Sequence, residues 1–389
     1  MAPNLYDVAS PADGQPRAAW DTAVDRMLRS QQGVLLDTFD GATDDAKLTA
    51  ALSYQAAATV KPAIILGNRE YTFSQTRTPF SGMRIRGSGY TGFQNIEQGA
   101  SLASTKVKLN VGSGSSSWLV GNSTVYSVQI ADIAMTALAG GQFLDWPLGA
   151  GNTLYASSFG NLQFYGFQHV FGRPGEAAAV TLNSWYGDWN IVGVGGQQIS
   201  VRGSDNWFTP NVLNIGWRNA PADTYLARFE NVAKSFVRGW YMTCYNANSR
   251  AILVTGSASS QGGLFVSDSV IEGQNKDEWA AGALIKVQGG SATFTNIALN
   301  FAMGGASMAT PYMGDSADIM VEGGSARFQN LDINKATGRA ETIPILKVTG
   351  GRASIKDVWG MPGGGAWSAL PLAQAAGGTL FNDATVRTA

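Results

Sequence analysis

The chain has 389 residues, of which 48 are glycine, and its 27 lysines and arginines nearly balance its 28 aspartates and glutamates. Charged residues make up 14% of the sequence, against ~25% in typical soluble domains, while the apolar fraction of 44% is ordinary. This composition excludes a disordered chain, a long charged helical protein and a disulfide-stapled scaffold, since Cys244 is the only cysteine. With a net charge of −1 and no basic block, we expect no nucleic-acid partner.

The ends of the chain predict neither a secretory leader nor a membrane span. Residues 1–14 lack a basic segment followed by an apolar one, and no apolar run reaches the length of about 18 residues that a spanning helix needs. Cys244 lies among aromatic residues and is interpreted as a buried small hydrophobe. The only histidine, His169, sits between apolar residues and is interpreted as a structural, hydrogen-bonded side chain.

Two helices are predicted near the start of the chain. In residues 18–31, apolar residues fall at helical spacing. A second helix follows the loop around Gly41, because Asp44 and Asp45 suit the positive end of a helix dipole. The apolar residues of this second helix repeat every four positions, at Leu48, Leu52 and Ala56.

After Pro62 the pattern changes to short strands, with AIIL (63–66) as a buried strand and Tyr71 and Phe73 in an alternating one. From about residue 125 the sequence repeats itself. The clearest copies are VQGGSATFTNIAL (287–299), VEGGSARFQNLDI (321–333) and VTGGRASIKDVW (348–359). Shorter copies of the same tag are IADIAM (130–135), FGNLQF (159–164), FENVAK (229–234) and the segment around Asn190. A fixed period of this size indicates a solenoid.

The spacing within one tag predicts how each coil turns. Phe294 and Ile297 are three residues apart, so strand alternation alone would put them on opposite faces. If Asn296 adopts a left-handed conformation, the chain turns and both residues point inward. Stacked corners of this kind form a ladder of asparagine side chains that hydrogen-bond along the axis.

These patterns predict an all-β chain, a right-handed single-stranded parallel β-helix with a small helical N-terminal cap. We assign residues 1–60 to the N-terminal region with its capping helices, 61–360 to the β-helix and 361–389 to a C-terminal extension. The helix over 18–31 is the candidate cover for the open end of the solenoid.

The segment Asp40-Gly41-Ala42-Thr43-Asp44-Asp45 resembles the opening of the pectate-lyase-like superfamily. Members often begin with a D-G-x-x-D-D signature, a short helix, a strand ending in a Gly-x-Tyr turn and a strand ending in glycine. Residues 63–73 and 83–89 correspond to these strands, although residues 67–70 replace the usual Pro-x-Gly. The motif covers residues 35–90, and the rest of the chain matches only in its coil pattern.

The resemblance implies the β-helix fold and leaves the activity open, because the superfamily includes cell-wall lyases, polygalacturonases and bacteriophage tail proteins, many of the last homotrimeric. Polygalacturonase-like members carry Asn-x-Asp, Asp-Asp, Gly-His-Gly and Arg-Ile-Lys on central coils, and none of these lies in the central coils here. The sequence of the central coils contains no aspartate-rich cluster of the kind that forms a calcium site. We therefore expect no metal and no cofactor.

If the chain cleaves polysaccharide, the chemistry we expect is glycoside hydrolysis by two carboxylates rather than elimination by a lyase. The candidate catalytic residues are Asp188, Glu272, Asp205 and Glu230, with Asp277 and Glu278 also placed on the middle coils. If Asn190 is a corner, Asp188 takes an inward position; the favoured alternative is a shifted register with Trp189 inside. Glu272 heads the excursion 273–282, and excursions from a rigid solenoid commonly carry function. The alternative is a solvated loop.

Aromatic residues in the middle of the chain are the stronger signal. Their faces can stack on sugar rings while neighbouring polar side chains bind the hydroxyls. The candidate substrate-binding residues are Trp185, Tyr186, Trp207, Trp217, Trp240, Tyr241 and Trp279. The alternative is that these rings fill the core or pack between subunits.

The sequence therefore favours a bacteriophage tailspike or minor tail protein, located in the virion tail, that recognises host-surface polysaccharide and either cleaves it or only binds it. The expected partners are that polysaccharide, two further copies in a homotrimer and other tail proteins. The alternatives are a non-catalytic structural or adhesin component of the tail and a secreted polysaccharide lyase or glycoside hydrolase.

Overall fold

The protein is described by a computed structural model. It covers residues 33–88, 105–111, 116–137, 141–147, 152–173, 175–194, 197–217, 224–244, 249–257, 262–273, 283–300, 317–334, 344–361 and 373–388. The described part contains a 3₁₀ turn (Leu36–Thr38), one α-helix, α1 (Asp44–Ala57), and short strands that pair in parallel. The predicted parallel β-helix is confirmed.

The strands in chain order are β1 (Val34–Leu35), β2 (Ile64–Ile65), β3 (Glu70–Phe73), β4 (Arg84–Arg86), β5 (Lys106–Leu109), β6 (Ser117–Val120), β7 (Val125–Tyr126), β8 (Gln129–Ala137), β9 (Gln142–Asp145), β10 (Leu154–Tyr155), β11 (Ser158–Phe167), β12 (His169–Phe171), β13 (Ala178–Thr181), β14 (Ser184–Tyr186), β15 (Asp188–Gly193) and β16 (Ile199–Ser204). They continue with β17 (Trp207–Phe208), β18 (Val212–Trp217), β19 (Thr224–Ala233), β20 (Ser235–Arg238), β21 (Trp240–Cys244), β22 (Ser249–Thr255), β23 (Leu264–Gly273), β24 (Ile285–Val287), β25 (Ser291–Asn300), β26 (Ile319–Val321), β27 (Ser325–Asn334), β28 (Leu346–Val348), β29 (Arg352–Met361), β30 (Ala373–Ala375) and β31 (Thr379–Thr388).

Each coil contributes to three faces. The first face contains β14, β17 and β20, the second contains β15, β18 and β21, and the third contains β16, β19 and β22. Long strands such as β25 and β27 run over both the first and the second face and bend at a corner between them. Because the strands pair in parallel, with register shifts in the pairs β11–β15, β16–β19 and β29–β31, equivalent residues of successive coils stack above one another over most of their length.

The corner between the first and second faces is built as predicted. Its residues adopt the left-handed conformation, with φ between 48° and 61° at Asp132, Asn161, Asp268, Asn296, Asn330 and Asp357. Asn330 Nδ2 donates to Asn296 Oδ1 (2.7 Å), and Asn296 Nδ2 donates to Asp268 Oδ1 (2.8 Å). As a result Phe294 and Ile297 are both buried, which confirms the predicted turn.

Asn190 does not form a corner. Asn190 lies inside β15 and is buried, and Gly187 takes the corner of this coil with a φ of 69°. The alternative of a shifted register is confirmed, because Trp189 is buried and Asp188 is exposed. The corner at Gly187 is still bonded to the ladder of stacked corner residues, since the Asp188 N–H donates to Asn161 Oδ1 (3.1 Å).

A second ladder, which the sequence analysis did not identify, lines the inside of the corner before the first face. Its members are buried polar residues at equivalent positions of successive coils, Ser157, Asn183, Asn206 and Ser235. We call this set the inner ladder. The Ser157 N–H donates to Asn183 Oδ1 (2.7 Å), the Asn183 N–H donates to Asn206 Oδ1 (3.1 Å), and Asn206 Nδ2 reaches Ser235 Oγ (3.4 Å).

Aromatic rings stack along the inside of the solenoid. The Trp185 ring lies 4.3 Å from Trp189 and 5.8 Å from Trp240, both nearly parallel, and Phe294 stacks on Phe328 at 5.1 Å. Burying one such side chain contributes about 1.5–3 kcal/mol. Cys244 is buried as predicted, and burial raises the pKa of its thiol to about 12.

The predicted second helix is confirmed as α1. Thr43 caps its N-terminus by accepting the Ala46 N–H (3.2 Å). Leu48 is buried and Leu52 packs on the core, but Ala56 is exposed and Gln55 is buried in its place. Gln55 Nε2 donates to the carbonyls of Pro62 (2.6 Å) and Arg84 (2.8 Å), which ties the helix to the first coils.

The two carboxylates of the opening motif fix the helix to the strand that follows. Asp44 Oδ2 accepts the Thr72 N–H (2.9 Å), and Asp45 Oδ2 accepts the Ser74 N–H (2.8 Å). Arg77 donates to Asp45 Oδ1 (2.9 Å). The motif therefore closes the edge of β3, which explains why it marks the fold.

Arg69 adds a second set of contacts between the start of the chain and the first strands. We call the set Asp37, Asp44, Asp45, Arg69 and Arg77 the N-terminal clamp. It donates to Asp37 (2.6 Å) and Asp44 (2.7 Å) and lies 3.7 Å above the Tyr71 ring. The Arg69 hydrogen bond holds the pKa of Asp37 well below its usual range. Burial, together with the hydrogen bond to Asp37, raises the pKa of Tyr71 to about 12.

The coil extends beyond the predicted boundaries. β1 already pairs with β2, so that within the described residues the stack includes Val34. Within the stretch assigned to a C-terminal extension, β30 pairs with β28 and β31 pairs with β29, which adds a further coil. The predicted helix over 18–31 lies outside the described residues.

We predict that Asn206→Ala lowers the free energy of unfolding by about 2–4 kcal/mol, because it leaves the buried Asn183 N–H and Val180 carbonyl without partners. Chemical denaturation followed by circular dichroism measures this change. Gln329→Ala on an exposed position of β27 is the matched control and should change stability by less than about 0.5 kcal/mol. Equal effects of the two substitutions would contradict a structural role of the inner ladder.

We also predict that acid loosens the N-terminal clamp. Because the folded pKa of Asp37 is below its unfolded value, its contribution to stability is complete above the unfolded pKa of about 3.9 and is lost as the pH falls further. The protection factors for amide hydrogen exchange in α1, which correct for the pH dependence of the intrinsic exchange rate, should therefore fall below about pH 4. Asp37→Asn should remove part of this pH dependence, whereas Asp332→Asn, on an exposed position far along the chain, should retain it. Wild-type acid sensitivity in Asp37→Asn would show that another group is responsible.

Candidate functional site

The main candidate site is a row of outward side chains on the first face. These residues occupy one register position in seven successive strands: Trp207, Phe236, Phe265, Thr293, Arg327, Ser354 and Phe381. We call this row the outer strip. With a strand spacing of ~4.8 Å, its six intervals extend over about 29 Å along the solenoid axis.

The first three members of the outer strip form an aromatic stack. The Trp207 and Phe236 ring centroids are 6.4 Å apart, and those of Phe236 and Phe265 are 5.2 Å apart, each pair tilted by only 16°. Between 37% and 42% of each of these residues is exposed. Exposed aromatic side chains in direct register form an apolar platform of the kind that marks a binding surface.

The outer strip continues into a groove of about 480 Å³ between Phe265 and Phe381. Its lining includes Arg327 and a neighbouring outward row with Ser325 and Arg352. This volume lies within the range of ~300–1,000 Å³ typical of ligand pockets. The groove therefore combines two aromatic ends, hydroxyl groups and two guanidinium groups.

Two predicted binding residues belong to the core instead. Trp185 and Trp240 are buried and stack on each other, so they are not available to a ligand. For Trp185 the cause is a register difference of one position, because Ser184 pairs with Trp207 while Trp185 pairs with the inward Phe208.

The other predicted aromatic residues lie apart from the aromatic stack. Tyr186 is exposed on the first face over Gly160, and Tyr241 is half-buried on the second face. Trp217 ends β18 on the second face. Trp279 lies outside the described residues. Of the seven predicted aromatic residues, Trp207 alone is part of the outer strip.

The candidate catalytic carboxylates Asp188 and Glu272 are both on the second face but far apart. β15 and β23 are separated by three strand intervals, which amounts to about 14 Å. Glycosidase carboxyl pairs lie within ~5–9.5 Å of each other. Asp188 is exposed, whereas Glu272 is buried at the end of β23.

The remaining candidate carboxylates are on other parts of the coil. Asp205 forms the corner before β17 with a φ of 56°, and its N–H donates to the Ala233 carbonyl. Glu230 lies on the third face in an ion pair with Arg228 (2.8 Å). Asp277 and Glu278 lie outside the described residues.

The structure also places a buried acid on the third face. Asp145 is 4% exposed, and burial raises the pKa of its carboxyl group despite Arg173 Nε at 3.5 Å. Arg173 is paired at the same time with Glu176. Nearby, His169 Nδ1 contacts the Gln197 carbonyl (2.5 Å), and burial lowers the pKa of its ring, in agreement with a structural histidine.

Sequence reasoning missed Phe236, Phe265, Phe381 and the two arginines. A signal exists for Phe236, because Trp207 and Phe236 each follow a buried residue of the inner ladder by one position. Within the described ranges, no group of three or more His, Cys, Asp or Glu side chains is arranged to hold a metal ion. No helix in this part of the chain is long and apolar enough to cross a bilayer.

Comparison with known proteins gives structural neighbours only. No protein-family profile matches the chain, and no curated protein sequence matches it significantly. The Agl-KA catalytic domain is 13% identical over 91% of this chain and 68% of its own length, with a TM-score of 0.51. At this identity the likeness shows the β-solenoid fold alone.

Two further solved structures represent the other neighbours. The catalytic unit of the thermostable GH87 alpha-1,3-glucanase from Streptomyces thermodiastaticus strain HF3-3 is 13% identical over 97% of this chain and 70% of its own, with a TM-score of 0.46. ORF18 of Geobacillus virus E2 is 10% identical over 96% and 65%, with a TM-score of 0.45. The structural neighbours thus include glucanase catalytic domains and phage proteins.

Proposed function

We propose that this chain is a tailspike or minor tail protein of a bacteriophage that recognises a host-surface polysaccharide along the outer strip. The observation that carries the proposal is the exposed aromatic stack of Trp207, Phe236 and Phe265. We infer its location in the virion tail, as a homotrimer among other tail proteins, from the resemblance of residues 40–45 to the pectate-lyase-like superfamily, which includes bacteriophage tail proteins.

The geometry of the outer strip fits a linear polymer better than a small molecule. The aromatic residues lie on one line parallel to the axis, so that successive sugar units of one chain can pack against their exposed surfaces. Hydroxyl groups of Thr293 and Ser354 follow on the same line and can bind sugar hydroxyls. A row of about 29 Å offers contacts to several consecutive sugar units.

Binding is better supported than cleavage. Asp188 and Glu272 are three strand intervals apart, and neither is a member of the outer strip. A depolymerase would need two carboxylates on opposite sides of one glycosidic bond. Release of new reducing ends from the bound polysaccharide, abolished by Asp188→Asn or Glu272→Gln, would restore the catalytic alternative.

A structural role in the tail is the second candidate function. The same aromatic stack is an exposed apolar surface, and such surfaces also pack between subunits. In that case the outer strip would be covered in a homotrimer, and the chain would act as a non-catalytic tail component.

We predict that Trp207→Ala and Phe236→Ala each weaken binding of the recognised polysaccharide by about 10- to 100-fold, since truncating a central aromatic contact costs ~1.4–2.8 kcal/mol. Co-sedimentation with polysaccharides extracted from bacterial surfaces, followed by titration calorimetry, measures this loss. Tyr54→Ala is the matched control, because Tyr54 is an exposed aromatic residue on α1, away from the strip. Wild-type affinity in both strip variants would refute the proposed binding surface.

We further predict that sedimentation velocity shows a homotrimer, and that Phe236→Asp leaves its mass unchanged because the strip faces solvent. Dissociation of the trimer by Phe236→Asp would instead assign the strip to a subunit interface and support the structural role. Gln329→Asp, on an exposed position of the same face, controls for the added charge.

A further inference from the structure

Among the residues that the structure describes, the groove between Phe265 and Phe381 is lined by positively charged side chains and by no carboxylate. Its charged lining residues are Arg327 and Arg352, and its remaining lining residues are glycine, alanine, serine, threonine and phenylalanine. The whole chain, by contrast, has a net charge of −1. Two positive groups in one groove of a nearly neutral, charge-poor protein indicate a local preference for anions.

Neither guanidinium group has a hydrogen-bonding or ionic partner among the described residues, and both residues are exposed. Other arginines, close to the corner between the first and second faces, are paired, Arg86 with Asp132 (2.6 Å) and Arg238 with Asp268 (3.0 Å). The donors in the groove are therefore available to a ligand, while those near the corner are already used.

The two arginines are placed to act together. Arg327 pairs with Ser354 in the next coil, and Arg352 lies two residues before Ser354 on the same strand. Such diagonal neighbours on a sheet are about 7–8 Å apart, so that two long side chains can reach one group between them. Ser291 and Ser325 lie in the row of Arg352 and add hydroxyl groups.

We propose that the polysaccharide recognised by the outer strip is acidic, and that Arg327 and Arg352 bind its anionic groups. This inference rests on the proposed function and adds the substrate class. A guanidinium group presents a planar fork of N–H donors that matches the oxygens of a carboxylate or a phosphate. Phe265 and Phe381 at the two ends of the groove provide ring faces for the sugars on either side.

The surrounding charges are compatible with this assignment. The next outward row on the same face carries Lys356 and Asp383 at paired positions, and their opposite charges cancel. The positive charge that remains at the groove is that of the two arginines. Since both are exposed to solvent, their attraction for an anionic polymer should decrease as salt increases.

The test is titration of the full chain with a panel of acidic polysaccharides and matched neutral forms. Hyaluronan, alginate and polygalacturonate are each compared with their carboxyl-reduced derivatives, and poly(glycerol phosphate) represents phosphate. The Arg327→Gln/Arg352→Gln double variant should lose at least about tenfold in affinity for the acidic form and lose most of its salt dependence. Arg238→Gln, an arginine already paired with Asp268, should bind like the wild type.

The outcomes separate this inference from the proposed function. Arginine-dependent binding of carboxylated polymers, or of poly(glycerol phosphate), supports the inference and identifies the source of the anionic group. Equal binding of acidic and neutral forms that depends on Phe236 but not on the arginines overturns the acidic class and leaves the proposed function in place. Absence of binding to every polymer overturns both.

Discussion

Every feature of this solenoid depends on in-register parallel pairing, which requires each coil to turn at the same position. A turn of this kind needs a residue that accepts a positive φ, and asparagine, aspartate and glycine do so at the lowest cost. At Asn296 and Asn330 the side chain also bonds to the coil below, whereas Gly187 provides only the conformation. The positive φ of glycines such as Gly187, Gly290, Gly324 and Gly351 follows from this requirement.

The same register that stacks the corners also stacks every outward side chain on its neighbours. Phe236 lies on Phe265 outside for the reason that Phe294 lies on Phe328 inside. Outward positions, however, do not enter the core, so their chemistry can change from one coil to the next without altering the fold. The outer strip uses this freedom, with aromatic rings at one end, hydroxyl groups and Arg327 further along, and Phe381 at the other end.

The fold could be predicted from the sequence because its signals are local and repeated. The corner at Asn296 and the start of α1 near Asp44 each depend on a few adjacent residues. The repeat copy around Asn190 shows the limit of this approach. Gly187, three residues earlier, turns the chain equally well, and a tag that matches in residue type need not match in position.

The candidate site was harder to predict, since a shift of one residue moves a side chain from the surface to the core. Trp185 is the second residue of β14 and Trp207 is the first residue of β17, so Ser184 rather than Trp185 pairs with Trp207, and Trp185 is buried. Phe236 is absent from the predicted binding residues, because its residue type alone does not distinguish an outward from an inward position. Only the position of the inner ladder decides these cases, because its buried residue fixes the direction of the next side chain.

The opening motif and the outer strip act on different parts of the molecule, which explains why recognising one does not reveal the other. Asp44 and Asp45 bind backbone N–H groups of residues 72 and 74 and so define where the first coils begin. The aromatic stack starts at Trp207, many coils later, and shares no contact with them. A protein can therefore retain the motif and the fold while any set of outward residues determines what it binds. For this chain, the outward row from Trp207 to Phe381 is where specificity has to be sought.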